Sequence, residues 1–128
     1  MKPLLTIFTL VFTMIFSSTG YAEWTKVGGF EGGNTYYVDF ERVRKHDGYV
    51  YFWFLSDYVK PTTEMKLMSS KMYFQGDCGV FRYKILQYVY HQESMGRDEG
   101  EMLEAVKKEW DYIQPDTFYE DVLNLVCK

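Results

Sequence analysis

One stretch decides the fold: Asp77-Cys78-Gly79-Val80-Phe81-Arg82-Tyr83-Lys84-Ile85-Leu86-Gln87-Tyr88-Val89-Tyr90. Its apolar and aromatic side chains predict a central strand that begins beside a cysteine. The expected core face carries Phe81, Tyr83, Ile85 and Val89, and the opposite face carries Arg82 and Lys84. The rest of the chain is expected to close over this strand.

The cysteine content predicts a tether between this strand and the chain end. Cys78 and Cys127 are the only two cysteines of the 128 residues. One disulfide between them is the simplest pairing in an exported chain, and two unpaired buried thiols are the alternative. Their spacing excludes a CxxC redox pair. Closing a loop of about 50 residues is worth on the order of 4 kcal/mol in the chain-entropy model.

The amino-terminal segment has the three parts of a secretory signal peptide. Lys2 provides positive charge, Leu4 to Phe16 is largely apolar, and small residues follow up to Ala22. The apolar run has about 13 residues, whereas a bilayer-spanning helix needs roughly 20. We therefore expect a cleaved signal over residues 1–22, a single domain over 23–128, and no retained transmembrane helix. The protein would reside in the periplasm, on the cell surface or outside the cell.

Alternating and aromatic segments predict further strands. Glu23–Val27 is a short strand that the glycine-rich segment Gly28–Asn34 ends, and Thr35–Glu41 alternates as a half-buried strand. Asp47-Gly48 is a tight-turn signal before the aromatic strand Tyr49–Tyr58. Met65–Gln75 is a strand with Met68, Met72 and Phe74 in the core.

The carboxyl-terminal third predicts a loop and a helix. Gln92–Gly100 is polar and contains two glycines, which indicates a loop. Residues 101–110 fit either a helix or a short strand followed by irregular chain. Pro115-Asp116-Thr117 starts a helix, with Thr117 and Glu120 spaced as a capping box. Its apolar stripe is expected to contain Phe118, Val122, Leu125 and Val126. These segments therefore predict several strands and a carboxyl-terminal helix that Cys127 would dock on their sheet.

Charged and titratable residues give little support for catalysis. His46 at a turn and His91 at a strand end are expected to face solvent or cap a backbone group, because neither belongs to a nucleophile triad. Asp39 and Asp57 could pair for acid–base chemistry, but strand-end aspartates more often accept backbone hydrogen bonds. The acidic residues Asp98, Glu99, Glu101 and Glu104 lack EF-hand spacing and are interpreted as solvated. We predict no enzyme activity, catalytic residue, metal or cofactor.

Tyrosines are the candidate binding residues. The chain has 12 Tyr, 10 Phe and 3 Trp, more than so small a core needs, and tyrosine is enriched at protein interfaces. The candidates are Tyr37, Tyr49, Tyr51, Tyr88 and Tyr90, with ordinary partial burial as the alternative interpretation. Nucleic acid is excluded as a partner, because the formal net charge is −4 and no basic patch is evident.

Several of these residues together resemble the surface-adhesin protein E family of Gram-negative bacteria, across essentially all of residues 23–128. The matching features are Trp24, Tyr37-Val38-Asp39, Leu55-Ser56-Asp57-Tyr58, Asp77-Cys78, Trp110 ahead of Pro115, and the terminal Val126-Cys127. The resemblance implies an α+β fold: a small antiparallel sheet of about five to six strands with a disulfide-tethered carboxyl-terminal helix. It also implies a strand rather than a helix around Met102–Val106, and dimers in some members.

The resemblance also implies a function. Known members are displayed on the cell surface and bind host proteins such as vitronectin, laminin and plasminogen. We therefore predict an exported, non-enzymatic protein-binding module that binds host matrix or serum proteins. The alternative is a periplasmic accessory or structural protein that forms a homodimer or binds an envelope partner.

Overall fold

A computed structural model describes residues 23–29 and 31–128, so the predicted signal peptide over residues 1–22 lies outside the described residues. Within the described part, the chain forms eight strands and one α-helix. The elements are β1 Thr25–Gly29, β2 Thr35–Val38, β3 Arg44–His46, β4 Tyr49–Asp57, β5 Ser69–Asp77, β6 Arg82–His91, β7 Glu101–Glu104, β8 Asp111–Tyr112 and α1 Phe118–Val126.

The strands form one antiparallel sheet in the order β1-β2-β4-β5-β6-β7. The other two strands, β3 and β8, lie beside the same neighbours as β2 and β7. β2 pairs with residues 54–57 of β4, and β3 continues beside residues 49–51 of the same strand. In the same way β7 and β8 pair with successive parts of β6. The eight strands thus occupy six positions, which confirms the predicted antiparallel α+β architecture.

β4 and β5 define the two faces of the sheet. On what we call the helix face, Val50, Phe52, Phe54 and Phe74 are at most 3% exposed. On the opposite face, called the front face, Tyr51, Trp53 and Tyr73 are half-buried. The first seven residues of β4 are all apolar or aromatic, which is typical of a strand with both faces buried, or with one face in the core and the other against a partner. From Tyr49 to Phe54 the burial alternates, because α1 covers only one face.

Helix α1 completes the core on the helix face. Val122, Leu123 and Val126 are 1–3% exposed and pack against the buried phenylalanines. The predicted stripe was wrong at Leu125, which is 38% exposed, because Leu123 occupies the inward position. Gly76 permits this approach. A Cβ atom there would lie 2.7 Å from Leu123 Cδ1.

The start of α1 differs from the predicted capping box. Thr117 is the N-cap residue, but its side chain accepts no hydrogen bond from the helix. Its hydroxyl instead donates to the carbonyl oxygen of Gln114 at 2.7 Å. The Glu120 carboxylate accepts from the backbone N–H of Asp116, not of Thr117. The capping box was therefore wrong, although the helix begins where it was predicted.

A disulfide joins Cys78 and Cys127 with a Cα–Cα distance of 5.8 Å, as predicted. Cys78 lies in the turn between β5 and β6 rather than in a strand, and Cys127 caps the end of α1. The bond therefore attaches the helix to a hairpin turn at one end of the sheet.

Three strand boundaries differ from prediction. β1 continues through Gly28 and Gly29, which pair with β2. Gly28 serves close packing rather than strand termination, because a Cβ atom there would overlap the Phe118 ring of the helix. β2 stops at Val38, and a 3₁₀ turn over Phe40–Arg42 follows. β5 starts at Ser69, so Met68 lies outside the strand and is only half-buried.

A β-bulge in β6 reverses the faces along the strand. Ile85 pairs with Phe74 but Gln87 pairs with Tyr73, which leaves Leu86 as the extra residue. Beyond the bulge, Val89 lies opposite Lys71 on the front face. The prediction that Val89 shares a face with Tyr83 and Ile85 was therefore wrong.

The resemblance-based expectation of a strand around Met102–Val106 is confirmed for residues 101–104, and the strand ends before Ala105. These residues form strand β7, paired with β6, rather than a helix. Across residues 23–29 and 31–128, no helix has the length and apolar character needed to cross a membrane.

Candidate binding face

A set of five aromatic rings lies on the front face of the sheet, in two contacting groups. We call it the front patch; it consists of Tyr49, Tyr51, Trp53, Tyr73 and Trp110. The Trp53 and Tyr73 ring centroids are 4.7 Å apart, and those of Tyr51 and Tyr73 are 6.2 Å apart. Tyr49 contacts Trp110 at 5.4 Å. The contact between Trp53 and Tyr73 follows from register, because the two residues are cross-strand partners.

Basic side chains border the front patch. The Arg82 guanidinium lies 4.2 Å from the centre of the Trp110 ring, and the Lys84 ammonium lies 4.4 Å from it. Arg44 is the cross-strand neighbour of Tyr51. Arg82 also pairs with Asp77 at 3.0 Å, which orients its guanidinium. The front patch thus combines aromatic surface with positive charge in a chain whose net charge is negative.

The Tyr73 hydroxyl stays protonated near neutral pH. Burial raises the pKa of Tyr73, and Tyr51 raises it further, against the opposing effect of Arg44. Tyr73 therefore offers a neutral hydroxyl that can donate and accept hydrogen bonds.

The five predicted binding tyrosines lie on two different faces. Tyr49 and Tyr51 belong to the front patch, and Tyr37 lies on the same face opposite Leu55. Tyr88 lies opposite Met72 and Tyr90 opposite Ser70, so the bulge places both on the helix face. Their ring centroids are 6.1 Å apart. The structure brings together Tyr49 and Tyr51 but separates them from Tyr88 and Tyr90.

Sequence reasoning missed Trp53, Tyr73 and Trp110 as members of the patch. The alternation of β4 carried the signal for Trp53, because it lies two residues after Tyr51 and therefore on the same face. Tyr73 follows only from the register between β4 and β5. Trp110 comes from a segment without regular structure, so no periodicity could place it.

His46 and His91 have different environments. His46 is exposed and lies 3.0 Å from Asp47, as expected for a turn residue. His91 is 0% exposed, so the expectation of a solvent-facing side chain was wrong. Its Nδ1 lies 3.0 Å from Asp98 Oδ1, and its buried Nε2 has no hydrogen-bond partner among the described residues. Burial lowers the pKa of His91, and Lys71 lowers it further, against the effect of Asp98.

The predicted carboxylate sets are dispersed. Asp39 pairs with Arg42 at 3.0 Å, whereas Asp57 accepts the backbone N–H of Met95 at 2.8 Å. Asp39 lies beside Trp53 and Asp57 lies opposite Thr35, four residues further along β4. They therefore form no acid–base pair.

The acidic cluster also divides between separate sites. Asp98 accepts hydrogen bonds from the backbone N–H groups of Gln92 and Glu93, whereas Glu104 binds Gln87 and Lys108. Burial would raise the pKa of Asp98, but these backbone donors outweigh it and the pKa is lowered. In the described part of the chain, no group of three or more His, Cys, Asp or Glu side chains is placed to hold a metal ion.

Comparisons with known proteins agree with this fold. The family model described as Surface-adhesin protein E matches residues 24–128. A structure of Haemophilus influenzae protein E aligns with a TM-score of 0.55 and 20% identity, covering 72% of this chain and 76% of that one. Protein E from non-typeable Haemophilus influenzae aligns at 0.51 and 16% identity, covering 84% and 85%. No curated protein sequence matches the chain. At these identities the structural likeness shows the fold alone.

Proposed function

Because the chain belongs to the surface-adhesin protein E family, we propose that it is an exported, non-enzymatic module that binds a protein partner through its front face. The family name implies adhesion, and the partner class that we propose is a host matrix or serum protein. The front patch is the observation that carries this proposal.

The two faces of the sheet differ in what is left to bind a partner. Helix α1 covers much of the helix face and buries its apolar side chains there. The 92–100 loop covers His91 at one end of the front face, whereas the rest of that face carries two tryptophans and three tyrosines that remain partly exposed. Trp, Tyr and Arg are the residues that most often dominate binding energy at protein interfaces. The front patch therefore has the composition of an interface centre.

The positive border of the patch favours a partner with acidic groups. Arg44, Arg82 and Lys84 surround the rings, and complementary charge speeds association and excludes partners of the same sign. We expect binding to weaken as salt concentration rises.

Paired tyrosine variants test the proposal. Tyr49→Ser/Tyr51→Ser removes two rings from the front patch, and Tyr88→Ser/Tyr90→Ser is the matched double variant on the helix face. We expect the front variant to bind immobilised laminin or vitronectin about tenfold more weakly, because truncating two interface tyrosines costs at least about 1.4 kcal/mol. Surface plasmon resonance measures the affinity, and circular dichroism checks folding.

The comparison between the variants decides the outcome. Retention of binding by the front variant, or a loss confined to Tyr88→Ser/Tyr90→Ser, would place the interface elsewhere. Lys84→Glu provides a second test that leaves all five rings in place. It should weaken binding to an acidic partner, and unchanged binding would contradict the role of the positive border.

A further inference from the structure

A second feature of the front face is a groove beside the front patch, with a volume of about 340 Å³. We call it the front groove; the residues that matter here are Trp24, Asp39, Arg42, Trp53, Lys71 and Glu99. Its volume lies within the roughly 300–1,000 Å³ of small-ligand sites. It shares only Trp53 with the front patch.

Lys71 supplies a cation that lacks an acidic partner. No carboxylate of the described residues lies within 4.0 Å of its ammonium, which instead donates to the Gly96 carbonyl oxygen at 3.4 Å. The ammonium lies 5.9 Å from the centre of the Trp24 ring. Burial lowers the pKa of Lys71, and the nearby Arg42 lowers it as well, against the effect of Asp98. An anion bound here would offset both the burial and the repulsion.

Arg42 supplies the second cation and is held in place by a buried acid. Its Nη1 lies 3.0 Å from Asp39 Oδ2, while its own side chain is 53% exposed. Asp39 is 1% exposed, and its Oδ1 is buried without a hydrogen-bond donor among the described residues. Buried carboxylate oxygens normally accept hydrogen bonds, so Asp39 Oδ1 is an unsatisfied acceptor among the described residues.

The groove walls add two aromatic rings and a second carboxylate. Trp24 and Trp53 present indole surface, which attracts the partly positive C–H groups of a saturated ring. Glu99 is exposed at the edge, where it can accept a hydrogen bond from a hydroxyl group. A ligand that uses every feature carries an anion, a ring with C–H surface, and hydroxyl donors.

We propose that the front groove binds the carboxylate-bearing ring of an acidic sugar, such as a uronic or sialic acid residue of a glycan. Lys71 and Arg42 bind the sugar carboxylate, and the two indoles pack against the ring. The sugar hydroxyl groups donate to Glu99, and Asp39 holds the Arg42 guanidinium in place. The acidic side chain of a peptide would use only the two cations. Only the biological source of the glycan rests on the proposed surface function.

Titration with small sugars tests this proposal. The probes are the methyl glycosides of N-acetylneuraminic acid and glucuronic acid, with methyl glucoside as the neutral control and N-acetylglutamate amide as the peptide-like control. Two-dimensional ¹H–¹⁵N NMR of the folded domain reports binding. We expect at least one acidic sugar to shift the Trp24 and Trp53 indole N–H signals in a saturable manner. Its affinity should be at least tenfold higher than that of either control.

A pair of lysine variants locates the site. Lys71→Met keeps the length of the side chain but removes its charge, and should weaken acidic-sugar binding about tenfold or more. Lys107→Met removes an exposed lysine outside the groove and should leave binding unchanged. The absence of saturable shifts, equal binding of methyl glucoside, or equal binding of the glutamate derivative would each overturn the proposal.

The two proposals fail in distinguishable ways. Tyr49→Ser/Tyr51→Ser should reduce protein binding while the groove still binds the acidic sugar. Lys71→Met should have the opposite pattern. Loss of sugar binding in both variants would contradict a separate groove.

Discussion

On both faces of the sheet, the space around individual positions decides which residues they can hold. Gly76 is required because a Cβ atom would lie 2.7 Å from Leu123 and 2.9 Å from Val50. His91 is enclosed in a similar way by the 92–100 loop, since Cβ atoms on Gly96 and Gly100 would lie within 3.3 Å of its ring. The loop therefore packs directly on a titratable side chain.

The buried His91 should make stability depend on pH. Its pKa is lowered in the folded state, so the unfolded chain binds more protons below a pH of about 6.5. Its favourable effect on folding is complete above that pH and is lost as the pH falls towards the lower folded-state pKa. The charged groups facing the ring are Asp98 on the loop and Lys71 on β5. Protonation would place a buried N–H without an acceptor beside the Lys71 ammonium.

Urea denaturation between pH 7 and pH 5 tests this expectation. The free energy of unfolding of the unmodified domain should fall over this interval. His91→Asn, which keeps a donor for Asp98 but does not titrate, should be less stable at pH 7 and show a flatter pH dependence. His46→Asn is the matched control, because His46 is exposed. An unchanged slope in His91→Asn would assign the pH dependence to other groups.

At the scale of elements, the helix depends on its tether. α1 has only nine residues, and isolated helices shorter than about 12 residues are marginal in water. Its three buried side chains and the disulfide at its end hold it on the sheet. The turn that contains Cys78 and the end of α1 therefore behave as one unit.

Removing the disulfide should lower stability markedly. Cys78→Ser/Cys127→Ser opens a loop of about 50 residues and should reduce the free energy of unfolding by roughly 4 kcal/mol, if the chain-entropy model holds. Urea denaturation of the oxidised domain and the double variant gives this difference. A reductant should destabilise the unmodified domain by a similar amount and leave the double variant unaffected. Equal stability of the two proteins would mean that packing of α1 alone holds the helix.

At the scale of the whole molecule, the sheet presents two chemically different surfaces. The helix face carries the core and the acidic first turn of α1, with Glu120 and Asp121. The front face carries the aromatic front patch, the basic side chains Arg82 and Lys84, and the front groove. This separation places basic side chains beside the front patch although the chain as a whole has a net negative charge.

The location of the molecule is tested on cells. If the proposed function is correct, antibodies against the folded domain should label intact cells about as strongly as cells whose outer membrane has been permeabilised. A known periplasmic protein serves as the control for membrane integrity. Labelling that appears only after permeabilisation would contradict surface binding and favour a periplasmic role.

What could be predicted from the sequence rests on local rules. Alternation indicated β2, an aromatic run indicated β4, Asp47-Gly48 indicated the turn, and the two cysteines predicted the tether. Backbone φ values of 51° and 82° at that turn agree with the type I′ geometry that Asp-Gly favours. The errors at Leu125 and at the capping box came from the same local rules. Leu123 packs against the sheet in place of Leu125, and the Thr117 hydroxyl donates to the Gln114 carbonyl oxygen instead of capping the helix.

The sequence by itself determined most strands, the terminal helix, the disulfide and the abundance of aromatic residues, because each depends on composition or local pattern. The family resemblance added the antiparallel α+β class. Tertiary structure alone decided which aromatics meet. The Leu86 bulge moved Tyr88 and Tyr90 to the helix face, and strand register joined Trp53 to Tyr73. Tertiary structure also enclosed His91 and brought Lys71 near Arg42. Register and bulges arise from pairing between distant strands, and one extra residue reverses every later side chain.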